Sequence, residues 1–80
     1  MEKKNYYFTF GANHLTKKGE KIHNQWVRVI STDPKTARML FREHFMEVYM
    51  HNWDHYAFQY DDDNFDPEYF PGGELKLINV

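Results

Sequence analysis

Histidines and acidic residues are the side chains of this chain that could take part in chemistry. Its 80 residues include five histidines and twelve Asp or Glu, but no cysteine. His51 lies seven residues after His44 and four before His55. If the helix continued past Asn52, His51 and His55 would lie on the same face and could bind zinc as a pair. Asp54 could then be a third ligand. Histidines scattered around the end of a helix explain the same spacing more simply, so we predict neither a metal site nor a cofactor.

The acidic run DDDNFD, Asp61 to Asp66, invites comparison with a calcium-binding loop. Such a loop needs a glycine at its sixth position and a glutamate at its twelfth. Counting from Asp61 or from Asp62 finds neither residue at those positions. The run therefore predicts a solvated acidic turn rather than a cation site.

The sequence lacks the residues that nucleophilic catalysis needs. There is no cysteine, and the one serine, Ser31, lies just before a predicted helix. The stretch FGANHLTKKG contains glycines but lacks the GKS or GKT ending of a phosphate-binding loop. A domain of this size also rarely encloses a pocket of the usual ligand volume. We therefore expect that this protein is not an enzyme.

Two groups of side chains could instead bind a macromolecule. Tyr7, Trp26 and Arg28 could form an aromatic and basic sheet surface of the kind that binds RNA. A later segment could offer negative charge to a basic groove on another protein, with aromatic anchors between its acids. Its residues are Asp61, Asp62, Asp63, Phe65, Asp66, Glu68, Tyr69 and Phe70. The alternative is that these rings pack under the sheet and the acids only keep the segment soluble.

Composition and charge describe a small folded domain. The chain is 41% hydrophobic, 19% aromatic and 28% charged, too rich in rings for disorder and too polar for a membrane protein. Residues 1–42 hold nine Lys or Arg against three acids, whereas residues 43–80 hold one against nine. The net charge of −2 therefore hides a polarised distribution, and it opposes phosphate binding outside a segregated basic patch. The lack of cysteines and of long apolar runs favours the cytoplasm.

Alternating aromatic and β-branched residues predict the strands. Residues 5–10 form the first strand, which Gly11 ends, and residues 25–30 form the second. The polar residues between them form a long hairpin loop. Residues 53–60 form the third strand. The acidic segment at about 61–73 is irregular, and the final ELKLINV forms a fourth, edge strand or an ordered tail.

A single long helix is predicted from residue 34 to about residue 50. Asp33 is a good N-cap, and Pro34 suits the first helical position because its missing N–H costs nothing there. Apolar residues then recur at steps of three or four and predict one buried stripe. They are Ala37, Leu40, Phe41, Phe45 and Val48.

The element order β-β-α-β, with a possible C-terminal strand, predicts one α+β domain over residues 1–80. Its sheet has three or four mainly antiparallel strands, and the helix packs on one face. A right-handed crossover places the third strand parallel to the second, with the first strand between them. We expect the helix to cover the face formed by Phe8, Phe10, Val29 and Phe58. The other face is solvated, capped by the acidic segment, or used for binding.

Several stretches along the chain resemble one group of proteins. They are YYFTFG near the start, WVRV, the DPKTAR opening of the helix, YAFQY, and FDPEYFPGGEL near the end. This pattern resembles small uncharacterised proteins of bacteriophages and prophages, which carry YFTFG, a basic loop, an AR-containing helix and a WAFQY strand. The longer segment MEVYMHNWDHYAFQY departs from that pattern. The resemblance implies ancestry and assigns no functional residue.

Together these features predict a small phage or prophage accessory protein that binds a host or phage protein in the cytoplasm of the bacterial host. One alternative is a nucleic-acid-binding module that uses the open sheet face. Another is a homodimeric structural domain, because pairing two uncovered sheet faces would bury them. We expect a monomer or a homodimer and no contact with a membrane.

Overall fold

The computed structural model describes residues 2–12, 14–50 and 56–79, which form a four-stranded sheet with one long helix on one face. The strands are β1 (Lys4–Thr9), β2 (Gln25–Ser31), β3 (Phe58–Asp61) and β4 (Gly73–Ile78). Their order in the sheet is β3-β1-β2-β4. β1 pairs antiparallel with β2 and β3, whereas β4 runs parallel to β2. The predicted α+β class and the central place of the first strand are confirmed, and the fourth strand forms.

Alternation along β1 and β2 builds the sheet's half of the core. Tyr6 and Phe8 of β1, and Phe10 just after it, are buried. Val27 and Val29 of β2 are fully buried on the same face, because Phe8 pairs with Val27 and Tyr6 with Val29. Residues opposite each other in an antiparallel pair share a face of the sheet. The predicted core face of these two strands is confirmed.

The third strand is shorter than predicted, and its register places one side chain on the other face. Residues 53–55 of the predicted strand lie outside the described part of the chain. Phe8 pairs with Gln59, and Thr9 pairs with Phe58. The predicted place of Phe58 in the core is therefore wrong, because its side chain is on the face away from the helix and is 64% exposed. Tyr56 instead packs edge-on against Phe8, with ring centroids 4.9 Å apart.

The helix begins as its sequence predicts. The Asp33 carboxylate accepts a hydrogen bond from the Thr36 backbone N–H at 2.8 Å and a second from the Thr36 hydroxyl at 2.9 Å. These bonds favour the charged carboxylate and hold the pKa of Asp33 below its ordinary value. Pro34 opens the first segment, α1 (Pro34–Phe41). The predicted N-cap is therefore confirmed.

A π-helical turn, Arg42–Met46, interrupts the helix before its last segment, α2 (Glu47–Tyr49). The Glu47 N–H donates to the Arg42 carbonyl five residues earlier, so this turn contains one residue more than an α-helical turn. Phe45 still reaches the core, but Val48 is rotated outward and is 54% exposed. The prediction that Val48 belongs to the buried stripe is wrong for this reason. The predicted extent of the helix is confirmed to within a residue.

Stacked phenylalanines join the helix to the sheet. The Phe8 and Phe41 rings stack at 4.3 Å between centroids, and Phe41 stacks on Phe45 at 5.4 Å. Ile22, from the long loop between β1 and β2, is also buried in this core. Nothing in the polar sequence around Ile22 predicted that contribution. Within the described residues, no helix combines the length and apolar character needed to cross a bilayer.

Candidate functional site

The face of the sheet away from the helix carries a cluster of five aromatic rings. We call Tyr7, Trp26, Tyr60, Phe65 and Phe70 the ring cluster. Phe65 lies at its centre, stacked on Tyr7 with centroids 4.1 Å apart and planes at 4°, and stacked on Phe70 at 5.5 Å. Trp26 meets Phe65 edge-on at 5.1 Å, and Tyr60 lies 5.8 Å from it. The acidic segment after β3 therefore caps this face, which is one of the three predicted arrangements.

Strand alternation and two short turns build the cluster. Tyr7 and Tyr60 are opposite each other on β1 and β3, so both point away from the helix. The Asp61 carboxylate then accepts hydrogen bonds from the backbone N–H groups of Asp63, at 3.1 Å, and Asn64, at 3.0 Å. Such a side-chain turn reverses the chain directly after the strand. The reversal carries Phe65 back over Tyr7.

A second carboxylate orders the next part of the segment. Asp66 accepts a hydrogen bond from the Glu68 N–H at 3.0 Å and caps a short 3-10 helix, Pro67–Tyr69. The helix places Phe70 against Phe65. Phe65 and Phe70 therefore pack against the sheet, as in the alternative prediction, whereas Asp61 and Asp66 order the segment and do more than keep it soluble.

Asp62 ties the segment to the central strand. Its carboxylate accepts a hydrogen bond from the Tyr7 hydroxyl at 2.9 Å and a longer one from the Asn5 side-chain amide at 3.4 Å. Burial, and then the adjacent Asp62 carboxylate, raise the pKa of Tyr7 above its ordinary value of 10.0. Tyr7 is therefore a neutral hydrogen-bond donor rather than a candidate acid or base near neutral pH.

Arg28 lies beside the ring cluster in an acidic setting. Its Nε is 2.8 Å from a carboxylate oxygen of Glu74, but the N–H does not point at that oxygen, so the contact is an ion pair without a hydrogen bond. Tyr7, Trp26 and Phe65 join these two residues around an open cavity of about 300 Å³. Because Glu74 offsets the guanidinium charge, this cavity offers little attraction to a phosphate group.

Three predicted site residues point outward from the segment. Asp63, Glu68 and Tyr69 are exposed, and we call them the outer residues. Tyr69 is 77% exposed, a large fraction for an aromatic side chain on an ordered 3-10 helix. The outer residues differ from Asp61, Asp62 and Asp66, whose carboxylates accept hydrogen bonds from the segment itself or from β1.

The structure thus divides the predicted site into three groups: the residues around the cavity, the outer residues, and Asp61 and Asp66, which order the turns. It brings Tyr7, Trp26, Arg28, Asp62 and Phe65 together around one cavity. Tyr60 of the ring cluster and Glu74 of the cavity were not among the predicted site residues. Tyr60 could have been found with the correct register of the third strand. The position of Glu74 depends on the pairing of β4 with β2, which no local pattern predicts.

Metal binding finds no support in the described residues. No three His, Asp or Glu side chains among residues 2–12, 14–50 and 56–79 are placed to hold a metal ion. His51, Asp54 and His55 of the zinc alternative lie outside these residues. Asp61 uses its carboxylate to bind backbone N–H groups, which is the acidic turn predicted from the sequence.

The chain was also compared with known proteins. No family model, curated protein or solved structure matched it. The resemblance to small phage proteins therefore stays a prediction.

Proposed function

We propose that this chain is a small phage or prophage accessory protein that acts by binding a host or phage protein through its outer residues. The observation that carries this proposal is the 77% exposure of Tyr69 on a segment whose other rings are anchored in the ring cluster. Tyrosine is among the residues that most often dominate the binding energy of protein interfaces. An ordered segment that leaves such a ring exposed is suited to recognition.

The way in which the segment is held supports the same proposal. Phe65 and Phe70 stack within the ring cluster, and Asp61 and Asp66 fix the turns on either side of Phe65. Binding therefore need not order a flexible loop first, which would consume part of the interaction free energy. The backbone that carries Tyr69 is already ordered before a partner binds.

Charge indicates the kind of partner. Residues 61–75 contain six acids and no lysine or arginine, and Asp63 and Glu68 extend into solvent. A complementary partner would carry a basic surface with a pocket for an aromatic ring. Opposite potentials would accelerate the encounter and make it sensitive to salt. A basic groove on a protein that handles nucleic acid has this chemistry.

The two alternative functions have less support. A nucleic-acid-binding module would need free ring faces, but Phe65 occupies one face of Tyr7 and Glu74 pairs with Arg28. A homodimer formed by uncovered sheet faces would have to displace the ring cluster. Titration with short single-stranded DNA and RNA at low salt tests the first alternative, and sedimentation at several concentrations tests the second.

The main test is affinity capture from bacterial lysate with a triple variant of the outer residues. The changes are Asp63→Asn, Glu68→Gln and Tyr69→Ala. Changing every acid of the segment would be less informative, because loss of Asp61 or Asp66 would also disturb the turns. The matched control carries Glu2→Gln, Glu43→Gln and Met39→Ala, which remove the same charge and one exposed apolar side chain elsewhere.

We expect the native chain and the control to retain the same partner and the triple variant to lose it. With the purified partner, the dissociation constant should rise by about tenfold or more, since a central tyrosine and two charges are removed. Capture of that partner by the triple variant at native strength would reject the proposal. So would a lysate in which no protein binds the native chain more tightly than the triple variant.

A further inference from the structure

A second cavity, of about 340 Å³, opens to solvent at the C-terminal end of the helix. None of its lining residues belongs to the ring cluster or to the outer residues. Its apolar lining includes Phe45 and Val48 of the helix and Leu75 of β4. Pockets for small molecules commonly enclose about 300 to 1,000 Å³ and are lined mainly by apolar side chains. The cavity therefore reaches ligand size.

The π-helical turn explains why this cavity exists. It rotates Val48 out of the core, while Phe45 one turn earlier remains buried beneath it. The apolar surface between Phe45 and Val48 is bordered by the neighbouring loop and by β4. Leu75 lies where the pairing of β4 with β2 shifts register, and it packs against the core from the other side. π-Helical turns often occur at functional sites.

Hydrogen bonds hold the walls of the cavity in place. The Lys17 backbone N–H donates to the Tyr49 carbonyl at 2.7 Å, and the Lys17 ammonium donates to the Glu47 carbonyl at 2.9 Å. The Lys76 ammonium donates to the Tyr49 hydroxyl at 3.1 Å and lies 4.8 Å from the centre of that ring. Loop, helix and strand are therefore linked around the cavity without a ligand.

The charges at the rim favour an anion. Three lysines and one glutamate, Lys17, Lys18, Lys76 and Glu20, contribute a net charge of +2. Lys17 and Lys76 already bind oxygen atoms of the helix end. Lys18 is exposed, and nothing in the described parts of the chain binds its ammonium group. It is the cation placed to meet an incoming ligand.

We propose that this cavity binds an aromatic organic anion, with its rings against Phe45, Val48 and Leu75 and its anionic group beside Lys18. Apolar burial supplies most of the affinity, and the lysine rim selects the charge. This site is separate from the surface of the proposed function. A failure to capture a protein through the outer residues would therefore leave it untouched, and the reverse also holds.

The test uses the full chain labelled with nitrogen-15, titrated with 8-anilinonaphthalene-1-sulfonate as an anionic aromatic probe. We expect saturable amide shifts confined to the loop around Lys18, to Phe45 and Val48, and to Leu75. N-phenyl-1-naphthylamine, which keeps the rings but lacks the sulfonate, should bind several-fold more weakly. A charge contact at an exposed site is worth about 0.2 to 1 kcal/mol, or up to about fivefold in affinity.

Substitutions on the helix provide the matched control. Val48→Glu places a negative charge in the cavity and should weaken binding of the probe by about tenfold or more. Met39→Glu changes an equally exposed apolar side chain of the same helix, 55% against 54%, and should leave binding unchanged. Lys18→Gln should remove the preference for the anionic probe.

Three results would overturn the proposal. The first is an absence of saturable shifts at millimolar probe, and the second is shifts centred on the ring cluster. The third is equal weakening by Val48→Glu and Met39→Glu, which would indicate nonspecific repulsion of the anion. Amide spectra of each variant without probe establish that its fold is intact.

Discussion

Replacing Phe65 with alanine should strongly destabilise the whole domain, although this residue lies in an irregular acidic segment. Its ring stacks on Tyr7 at 4.1 Å and on Phe70 at 5.5 Å, and meets Trp26 edge-on. Full burial of a phenylalanine side chain is worth about 1.5 to 3 kcal/mol, and Phe65 is about half-buried. Each stacked pair adds about 0.5 to 1.5 kcal/mol. We therefore expect Phe65→Ala to lower the free energy of unfolding by about 3 kcal/mol.

That loss is large for a chain of this size. At about 0.05 to 0.15 kcal/mol per residue, an 80-residue domain has a free energy of unfolding of about 4 to 12 kcal/mol. Urea denaturation followed by far-UV circular dichroism measures the change directly. Phe65→Leu keeps most of the apolar area but cannot stack, so it should cost about half as much. Tyr69→Ala, in the same segment but 77% exposed, should cost less than about 0.5 kcal/mol.

Fluorescence gives a second, local measurement. In a Trp53→Phe background, Trp26 is the one remaining tryptophan, and its emission should shift to the red when Phe65 no longer covers it. A free energy of unfolding for Phe65→Ala equal to that of Tyr69→Ala would refute the packing role of Phe65. An unchanged Trp26 emission in Phe65→Ala would likewise show that the ring does not cap this face.

Two further predictions concern single positions. Tyr7→Phe should lower stability by about 1 kcal/mol at neutral pH, because the bond to Asp62 is lost. The pKa of Tyr7 is raised in the folded state, so the native chain should also lose stability as the pH rises from 10.0 through that folded value. In urea denaturation at several pH values, the free energy of unfolding should fall less steeply with pH in Tyr7→Phe than in the native chain. Gly72→Ala should cost about 1 to 3 kcal/mol in thermal or urea unfolding, because a Cβ there would lie 2.8 Å from the Asn24 carbonyl oxygen. Gly11→Ala is its control, since among the described residues the new Cβ would meet only His14, at an ordinary 3.6 Å. A similar loss there would contradict the steric explanation.

Local patterns were sufficient for the first two strands and the start of the helix. Tyr6 and Phe8 are buried and alternate with the half-buried Asn5 and Tyr7, and the Asp33 cap followed by Pro34 predicts the start of a helix. The third strand was predicted less accurately, because YAFQY is aromatic on both faces and its alternation does not show which rings face the helix. One residue of register separates a buried Phe58 from the exposed one that is observed. The half-buried Tyr56, which packs against Phe8, takes the place that was predicted for Phe58.

The candidate site was predicted in its parts but not in its assembly. Tyr7, Trp26 and Phe65 were predicted as site residues because aromatic residues beside charges suggest recognition. The stacking of Phe65 on Tyr7 was not predictable, because these residues are 58 positions apart and meet only after the chain reverses at Asp61. The same contact converts a possible stacking surface for nucleic acid into a second, smaller core.

Four properties of this protein can be predicted from its sequence: the element order, the N-cap of the helix, the buried alternation of the central strand and the acidic character of the segment after β3. These properties depend on residues close together in the chain, where steric and hydrogen-bonding preferences act locally. Three other properties follow from tertiary packing: the register of β3, the outward rotation of Val48 at the π-helical turn, and the division of the acids into those that fold the segment and those that face solvent. Each of these depends on which distant groups compete for the same space and the same hydrogen bonds. Packing settles that competition, and no local preference encodes its result.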